Sequence, residues 1–227
     1  MRQDEILERL ANAVVQLHRD VAARLAQDAL DAGLSPYEII AEGLSKGMRI
    51  VGEQFKRNEV YIPEVLVACD AYYAGLNVVR PHIDRAERSK FLGTMVIGTI
   101  YGDVHTVGKD VAVPVFEAAG LNVVDLGVGV PAEVFVNAVR EHDAQIVGLG
   151  TYMTSSFMHT KDVVDALREA GLRDRVKVIC GGPSVNPEAA RRMGADDASD
   201  DAWEAVGKIQ ALLRRLVEEG KWKGAAA

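Results

Sequence analysis

Residues 94–119 read TMVIGTIYGDVHTVGKDVAVPVFEAA, and this stretch sets the fold of the second half of the chain. The apolar, β-branched run at 94–100 has the length and composition of a buried strand. A polar loop follows, and helical periodicity then begins at 107. The same alternation continues to the end of the chain, with strands predicted at 94–100, 122–126, 144–149, 176–180 and 195–198, and helices at 107–119, 132–142, 158–170, 187–193 and 202–219.

Five successive strand–helix units predict a doubly wound, five-stranded parallel sheet of α/β class. The flavodoxin-like (Rossmann-like) strand order is the one we expect. In that order a ligand binds at the carboxyl ends of strands 1 and 3, where the direction of winding reverses.

Residues 1–84 have a different pattern, with apolar residues at helical spacing and no strand signal. Ser35-Pro36-Tyr37-Glu38 is a capping box with proline at the first helical position. Four short helices joined by short loops predict a four-helix bundle, which we call the cap domain. The polar stretch 85–92 is predicted to be a linker, and residues 93–227 form the α/β domain.

Composition excludes several classes of partner. The chain has 227 residues, 48% of them hydrophobic, with a net charge of −7 and a pI near 5.3. This acidity argues against nucleic acid and against an anionic membrane surface as main partners. The two cysteines form no C-x-x-C motif, the N-terminus lacks a signal-peptide core, and no apolar run approaches the roughly 20 residues of a membrane span. We expect a cytoplasmic protein.

Three loops are predicted to meet at one edge of the sheet, namely 103–109, 150–156 and 181–184. The first contains His105, which can act as a base, a proton donor or a metal ligand. Asp103 is placed to hydrogen-bond its distal ring nitrogen. One imidazole does not hold a free metal ion, so a metal at His105 would bring its other ligands within a cofactor. The alternative is that His105 caps the helix and Asp103 closes the turn; His18, His82, His142 and His159 are expected to be surface or capping residues.

The pattern Asp103-x-His105-x-x-Gly108, followed by Gly181-Gly182, resembles the cobalamin-binding signature of methionine synthase and its relatives. It is most similar to the small corrinoid proteins of methyltransferase systems, which join a helical cap to a Rossmann-like domain. The similarity covers nearly the whole chain. Its main segments are GLSKGMRIVGEQFKRNEVYIPEVLVA at 43–68, VVDLGVGVPAEVFV at 123–136 and GGPSVNPEAARRMGADDASDDAWEAV at 181–206.

The resemblance implies that cobalamin or a related corrinoid binds, with His105 as the lower ligand of cobalt and Asp103 as its hydrogen-bonded orienter. Gly108 and Gly181-Gly182 would let the nucleotide tail pass. Further cofactor contacts are expected at Val104, Thr106, Lys109, Gly150, Thr151, Tyr152, Thr154 and Pro183. The cap would cover the upper face of the cobalt, with Met48, Val51 and Phe55 as candidates; the alternative for each is ordinary bundle core.

One segment departs from the family pattern. The family usually has Ser-x-Leu after strand 3, whereas this chain has Gly150-Thr151-Tyr152. The serine hydroxyl that contacts the cofactor tail is therefore missing, and Thr151 or Thr154 are the candidates to replace it. Tyr152 must occupy the space of a leucine, which bears on the tail contacts and on the preferred form of the corrinoid.

The resemblance implies a methyl carrier that is not a complete enzyme alone. It would shuttle a methyl group between a substrate-specific methyltransferase and an acceptor methyltransferase that uses tetrahydrofolate or a thiol, with a reductive activator as a further partner. Alternatives are a corrinoid-binding sensor or regulatory module and a corrinoid fold without its cofactor. A nucleotide-binding enzyme has only a weak G-x-G-x-x-A match at 127–132, and a phosphoacceptor domain is rejected because strand 3 ends in Leu149-Gly150.

Overall fold

The computed structural model describes residues 2–83 and 90–224. The chain divides into two compact units, Met1–Phe91 with Pro114–Gly120, and Leu92–Val113 with Leu121–Ala227. Most of the predicted linker, 85–89, lies outside the described residues. The division at Phe91 and Leu92 falls at the end of that predicted linker.

The first unit is helical, as its periodicity predicts. Its elements are α1 (Gln3–Val15), α2 (Arg19–Asp31), α3 (Pro36–Glu38), a π-helical segment (Ile39–Leu44), α4 (Ser45–Lys56), α5 (Ile62–Val79) and a 3₁₀ turn (Arg80–His82). The capping box at Ser35 is confirmed, because its hydroxyl accepts from the backbone N–H of Glu38 and the Glu38 carboxylate accepts from the backbone N–H of Ser35. The π-helical segment was not predicted.

Small residues let the helices of this bundle approach closely. A Cβ atom on Gly47 would lie 2.7 Å from the Ala11 carbonyl oxygen, and one on Gly75 would lie 2.6 Å from a methyl carbon of Leu44. These gaps are filled by neighbouring side chains, so the glycines are packing positions. The bundle core contains Leu10, Val14, Leu25, Ile40, Leu44 and Tyr72, all at most 3% exposed.

By length and composition alone, residues 62–82 could cross a membrane, which contradicts the sequence prediction that no run is long and apolar enough. In the structure, α5 instead packs against α2, α4 and α1. Its buried residues include Val65, Ala68, Tyr72 and Leu76. A mostly buried core helix passes the same test of composition, so this helix is weak evidence for a membrane span.

The second unit is a five-stranded parallel sheet in the order β2-β1-β3-β4-β5. Its elements are β1 (Gly93–Thr99), α6 (Val107–Ala118), β2 (Leu121–Asp125), α7 (Ala132–His142), β3 (Ile146–Gly150), α8 (Thr154–Phe157), α9 (Thr160–Glu169), β4 (Lys177–Gly181), α10 (Pro187–Arg192), β5 (Asp197–Ser199) and α11 (Ala202–Glu218). The flavodoxin-like order is confirmed. Its winding reverses between β1 and β3, so their carboxyl ends flank the crevice.

The central strands are apolar on both faces because helices cover both sides of a parallel sheet. Val96, Val147 and Val178 are fully buried in one continuous core that also contains Phe135 and Leu167. Burying each such side chain contributes about 1.5–3 kcal/mol. This core holds the ends of the strands in place, and the loops of the site start from those ends.

Candidate functional site

The strand register brings the three predicted loops to one edge. Thr99, the last residue of β1, pairs with Gly150 at the end of β3, and Gly150 pairs in turn with Gly181 at the end of β4. All three strands run in the same direction, so the segments that follow them leave the sheet together. The sequence prediction of loops that share one edge is confirmed.

Asp103 is the centre of the site and is completely buried. Its Oδ1 lies 2.8 Å from His105 Nδ1 and accepts from the backbone N–H of His105 at 3.2 Å. Its Oδ2 accepts from the backbone N–H groups of Tyr152 at 2.7 Å and Met153 at 3.3 Å. The Ser156 hydroxyl lies 2.7 Å from the same oxygen. One carboxylate therefore ties the β1 loop to the β3 loop.

These donors keep the carboxylate ionised. Burial raises the pKa of Asp103, but the hydrogen bonds from Tyr152, Ser156 and His105 outweigh it and lower the pKa to about 2. An ionised carboxylate only accepts hydrogen bonds. His105 Nδ1 must therefore carry a proton, and in the neutral imidazole the lone pair is on Nε2.

The backbone of the β1 loop is fixed separately. The buried Thr99 hydroxyl donates to the Asp103 carbonyl oxygen at 2.8 Å, and the backbone N–H of Gly129 donates to the same oxygen at 2.9 Å. Gly129 N–H also lies 3.1 Å from the Thr99 hydroxyl oxygen. Asp103 is thus held by both its main chain and its side chain, and the position of His105 follows from it.

The His105 side chain is 52% exposed, although its partner Asp103 is buried. Large apolar side chains are exposed in the same loop and after β3: Tyr101 at 59%, Val104 at 73%, Val107 at 53% and Met158 at 62%. These exposed apolar residues make the edge a candidate binding surface. A half-exposed imidazole beside exposed apolar side chains is a candidate ligand for a metal that a cofactor brings to the site.

Two of the predicted glycines are required by the protein itself. A Cβ on Gly108 would lie 2.5 Å from Tyr152 Cε1 and 2.7 Å from Cζ. A Cβ on Gly182 would lie 3.0 Å from the Thr151 carbonyl carbon and closer to its oxygen, and the φ of Gly182 is +118°. Gly181 has no atom nearer than 3.6 Å to such a Cβ. Gly108 and Gly182 therefore make room for residues of the β3 loop, whereas Gly181 does not.

Two other candidates have structural partners. The Lys109 ammonium is buried and lies 2.5 Å from Asp125 Oδ2 and 2.9 Å from Asp110 Oδ1, so its predicted cofactor contact has no support here. The hydroxyl of buried Thr151 lies 3.4 Å from the Gly181 carbonyl oxygen and 3.4 Å from the Ser184 hydroxyl, so it is engaged by the β4 loop. Thr151 and Thr154 as replacements for the missing serine of the family pattern stay predictions.

The remaining candidates fall into two sets. Met48 and Val51 are 1% and 2% exposed, which agrees with the alternative that they belong to the bundle core. Phe55 is partly exposed, and its role stays a prediction. On the second unit, exposed positions of the three loops are Val104, Thr106, Thr154 and Pro183. Their contacts with a cofactor also stay predictions.

Sequence reasoning missed Ser156 as a site residue. It lies 53 positions from Asp103 and is 2% exposed. The signal that could have found it is a polar Thr-Ser-Ser run that opens a helix at the same sheet edge. A second imidazole, His159, lies 2.6 Å from Asp162 through Nδ1 and makes an edge-on ring contact with Tyr101. Among the described residues, no group of three His, Cys, Asp or Glu side chains is placed to hold a metal ion.

Comparison with known proteins agrees with this geometry. Residues 93–206 and residues 6–80 match two B12 binding domain families. The chain is 38% identical to trimethylamine corrinoid protein 1 of Methanosarcina acetivorans, over 93% of this chain and 98% of that protein. It is 36% identical to the dimethylamine corrinoid protein of Methanosarcina barkeri, over 94% and 100%.

Solved structures show the same relationship. A chain of the methanol:cobalamin methyltransferase complex MtaBC of Methanosarcina barkeri is similar with a TM-score of 0.80, at 28% identity, over 94% of this chain and 81% of that one. A cobalamin-binding protein of Desulfitobacterium hafniense matches with a TM-score of 0.66, at 31% identity, over 91% and 98%. The fold and the site thus define a two-domain B12 binding protein. The chain belongs to the corrinoid protein family, and its cofactor is a corrinoid.

Proposed function

We propose that this chain is the methyl carrier of a corrinoid-dependent methyltransferase system. It would move a methyl group from a substrate-specific methyltransferase to an acceptor methyltransferase that uses tetrahydrofolate or a thiol. The observation that carries the proposal is the exposed His105 imidazole, whose Nδ1 is held at 2.8 Å by the buried, ionised Asp103. The similarity to trimethylamine and dimethylamine corrinoid proteins supports methylamines as the first donor class to test.

In this proposal His105 and Asp103 have different roles. His105 would hold cobalt through Nε2, and a bound corrinoid would supply a metal centre that accepts and releases a methyl group. Asp103 would keep the imidazole in the tautomer that can ligate. If His105 released the metal, its ring would stay hydrogen-bonded through Nδ1 to the Asp103 carboxylate.

Ser156 and the β3 loop would keep this pair rigid during exchange. The donors from Tyr152, Met153 and Ser156 all point at Asp103 Oδ2, so the carboxylate cannot rotate without losing them. A prepositioned ligand loses little conformational freedom when it binds. The His105 ring is therefore ready to bind and release cobalt with little movement of the loop.

Partners follow from the carrier role. A methyltransferase is expected to dock on the corrinoid-loaded chain, and the similarity to a chain of the MtaBC complex supports this. The acceptor methyltransferase and a reductive activator of the corrinoid are further proposals. We also propose a cytoplasmic location, because a reduced corrinoid and the two free, buried cysteines suit a reducing compartment.

The ligand assignment is tested by loading the purified chain with aquocobinamide, which has no nitrogen base of its own, reducing it to cobalt(II) and recording EPR spectra. The wild type should show nitrogen hyperfine splitting from the protein imidazole, and His105→Ala should lose it. His159→Ala is the matched control, because it removes another carboxylate-held imidazole of the same domain. Splitting that survives in His105→Ala, or disappears in the control, would refute His105 as the ligand.

The carrier role is tested with ¹⁴C-labelled trimethylamine, dimethylamine and monomethylamine. Each methyltransferase encoded beside this chain in its genome is offered with the reduced, corrinoid-loaded protein. Label that accumulates on the chain to one methyl group per cobalt, and only with His105 intact, supports the carrier. A chain that retains its corrinoid but takes up no label with any pair would favour the sensor or regulatory alternative.

A further inference from the structure

Tyr152 places an aromatic ring where the site would otherwise be open. The phenol extends from the β3 loop to the first turn of α6, and its Cε1 and Cζ atoms lie 2.5 and 2.7 Å from where a Cβ of Gly108 would be. The backbone at Gly108 is helical, so glycine is needed there for space. We call this contact the wedge: the Tyr152 ring packs against Gly108 and fills the space between the β3 loop and the start of α6.

The same ring lies beside the proposed cobalt ligand. The ring centroids of Tyr152 and His105 are 5.6 Å apart, and the ring planes are inclined by 34°. The backbone N–H of Tyr152 also donates to Asp103, so the residue is anchored at its main chain. The wedge therefore has a fixed root and stands immediately next to the imidazole.

The position of Tyr152 matters because of where a corrinoid carries its nucleotide tail. In cobalamin, the nucleotide tail leaves the macrocycle on the lower face, which is the face that a protein imidazole ligates. A tail displaced by His105 then passes the imidazole and runs along the loops of the protein. The aromatic wedge of Tyr152 and Gly108 occupies room in that zone, whereas an aliphatic side chain would leave a larger gap.

We propose that Tyr152 is a specificity-determining residue that selects corrinoids with a small or absent lower base. The inference rests on the proposed function only in that a corrinoid binds with His105 on its lower face. A bulky base has to displace the tyrosine ring from Gly108 and from His105, while a corrinoid without a base does not. Selection of this kind arises from a steric element directed against the wrong ligand.

The experiment compares two ligands that differ only in the tail. Hydroxocobalamin and aquocobinamide, which lacks the nucleotide, are titrated into the full-length wild type, Tyr152→Leu and Tyr152→Phe, and dissociation constants are read from the absorption change. The wild type should bind cobinamide at least as tightly as cobalamin. Tyr152→Leu should shift the ratio of the two constants at least tenfold toward cobalamin, and Tyr152→Phe, which keeps the ring, should retain the wild-type ratio.

Several outcomes would overturn the proposal. The first is that the wild type binds cobalamin more than tenfold tighter than cobinamide. The second is that the ratio of the two dissociation constants in Tyr152→Leu stays within twofold of the wild-type ratio. The third is that Tyr152→Phe changes this ratio as much as Tyr152→Leu does. The first needs no variant, so the proposal stays testable even if Tyr152→Leu does not fold. If the wild type retains neither ligand, the proposed function fails instead.

A second measurement needs no cofactor. Gly108→Ala should have a lower melting temperature than the wild type, because the new methyl group collides with the Tyr152 ring. In the Tyr152→Leu background the same change should cost less than half as much. Equal losses in the two backgrounds would show that the ring does not occupy the space above Gly108, and the wedge would be refuted.

Discussion

The orientation of His105 can be tested by Asp103→Asn, which preserves the shape of the side chain and removes its charge. Three donors face Asp103 Oδ2, whereas Oδ1 faces the His105 imidazole and one long bond from the His105 backbone N–H at 3.2 Å, so the new NH₂ group is better accommodated on the Oδ1 side. There it becomes a donor to the imidazole. His105 Nδ1 must then accept, and the ring proton moves to Nε2. We expect the variant to hold the tautomer that cannot ligate a metal.

The cost to stability follows from the pKa of Asp103, which is lowered from 3.8 to about 2. This difference corresponds to about 2.5 kcal/mol at neutral pH, because one pKa unit is worth about 1.4 kcal/mol. A carboxyl group with a depressed folded-state pKa stabilises the protein above its unfolded pKa, and this stabilisation is lost as the pH falls through the folded value. The gap between wild type and Asp103→Asn should therefore be full above about pH 5 and shrink toward pH 2.

Two measurements check these expectations on the cofactor-free protein. Long-range ¹H–¹⁵N correlation spectra of ¹⁵N-histidine-labelled protein report the tautomer of each ring, and urea unfolding from pH 7 to pH 2.5 reports the stability gap. Asp162→Asn is the control, because it should alter only His159, whose Nδ1 it faces at 2.6 Å. A proton that stays on Nδ1 of His105 in Asp103→Asn, or a gap that does not change with pH, would refute the reasoning.

Three further predictions concern the frame around this pair. Ser156→Ala should cost about 1–2 kcal/mol in urea unfolding and broaden the cobalt(II) EPR signal of the loaded protein, because it removes one donor from Asp103; unchanged values for both would contradict a positioning role. Gly182→Ala should lower the free energy of unfolding by about 2–4 kcal/mol, because the φ of Gly182 is positive and a Cβ there would collide with the β3 loop. The neighbouring Gly181→Ala should lower it by less than about 1 kcal/mol, because a Cβ there has no atom nearer than 3.6 Å. Burial lowers the pKa of Lys109, but the hydrogen bonds and charges of Asp125 and Asp110 outweigh it and raise the pKa above 10.5. Lys109→Met should therefore lower the free energy of unfolding by about 1–3 kcal/mol at pH 7, and by less as the pH rises past 10.5. A loss of stability that does not change with pH would contradict the ion-pair account.

The fold could be predicted because its signals are local and repeated. The change from helical to alternating strand–helix pattern occurs at residue 91, and each strand of the sheet begins and ends within two residues of its prediction. The π-helical segment Ile39–Leu44 was missed because its apolar residues have the same spacing as those of an α-helix. A single extra residue per turn leaves no mark in a short periodic pattern.

The site was predicted where adjacent residues define it and missed where distant residues meet. Asp103 and His105 are two positions apart, so their hydrogen bond follows from the sequence alone. Ser156 reaches Asp103 only because Thr99 and Gly150 pair in register, which no local pattern reveals. The ion pair of Lys109 was not predicted for the same reason, since its partner Asp125 comes from the end of the next strand.

Asp103 and His105 form a pair in which one member is fixed and the other is accessible. The acid is fully buried and accepts from both loops, whereas the imidazole that it orients is half exposed. Because the pKa of Asp103 is about 2, its carboxylate stays ionised at neutral pH and keeps accepting these hydrogen bonds. In the proposed ligation by His105, the change would fall on the half-exposed imidazole, and the hydrogen bonds that Asp103 accepts from Tyr152, Met153 and Ser156 would stay in place.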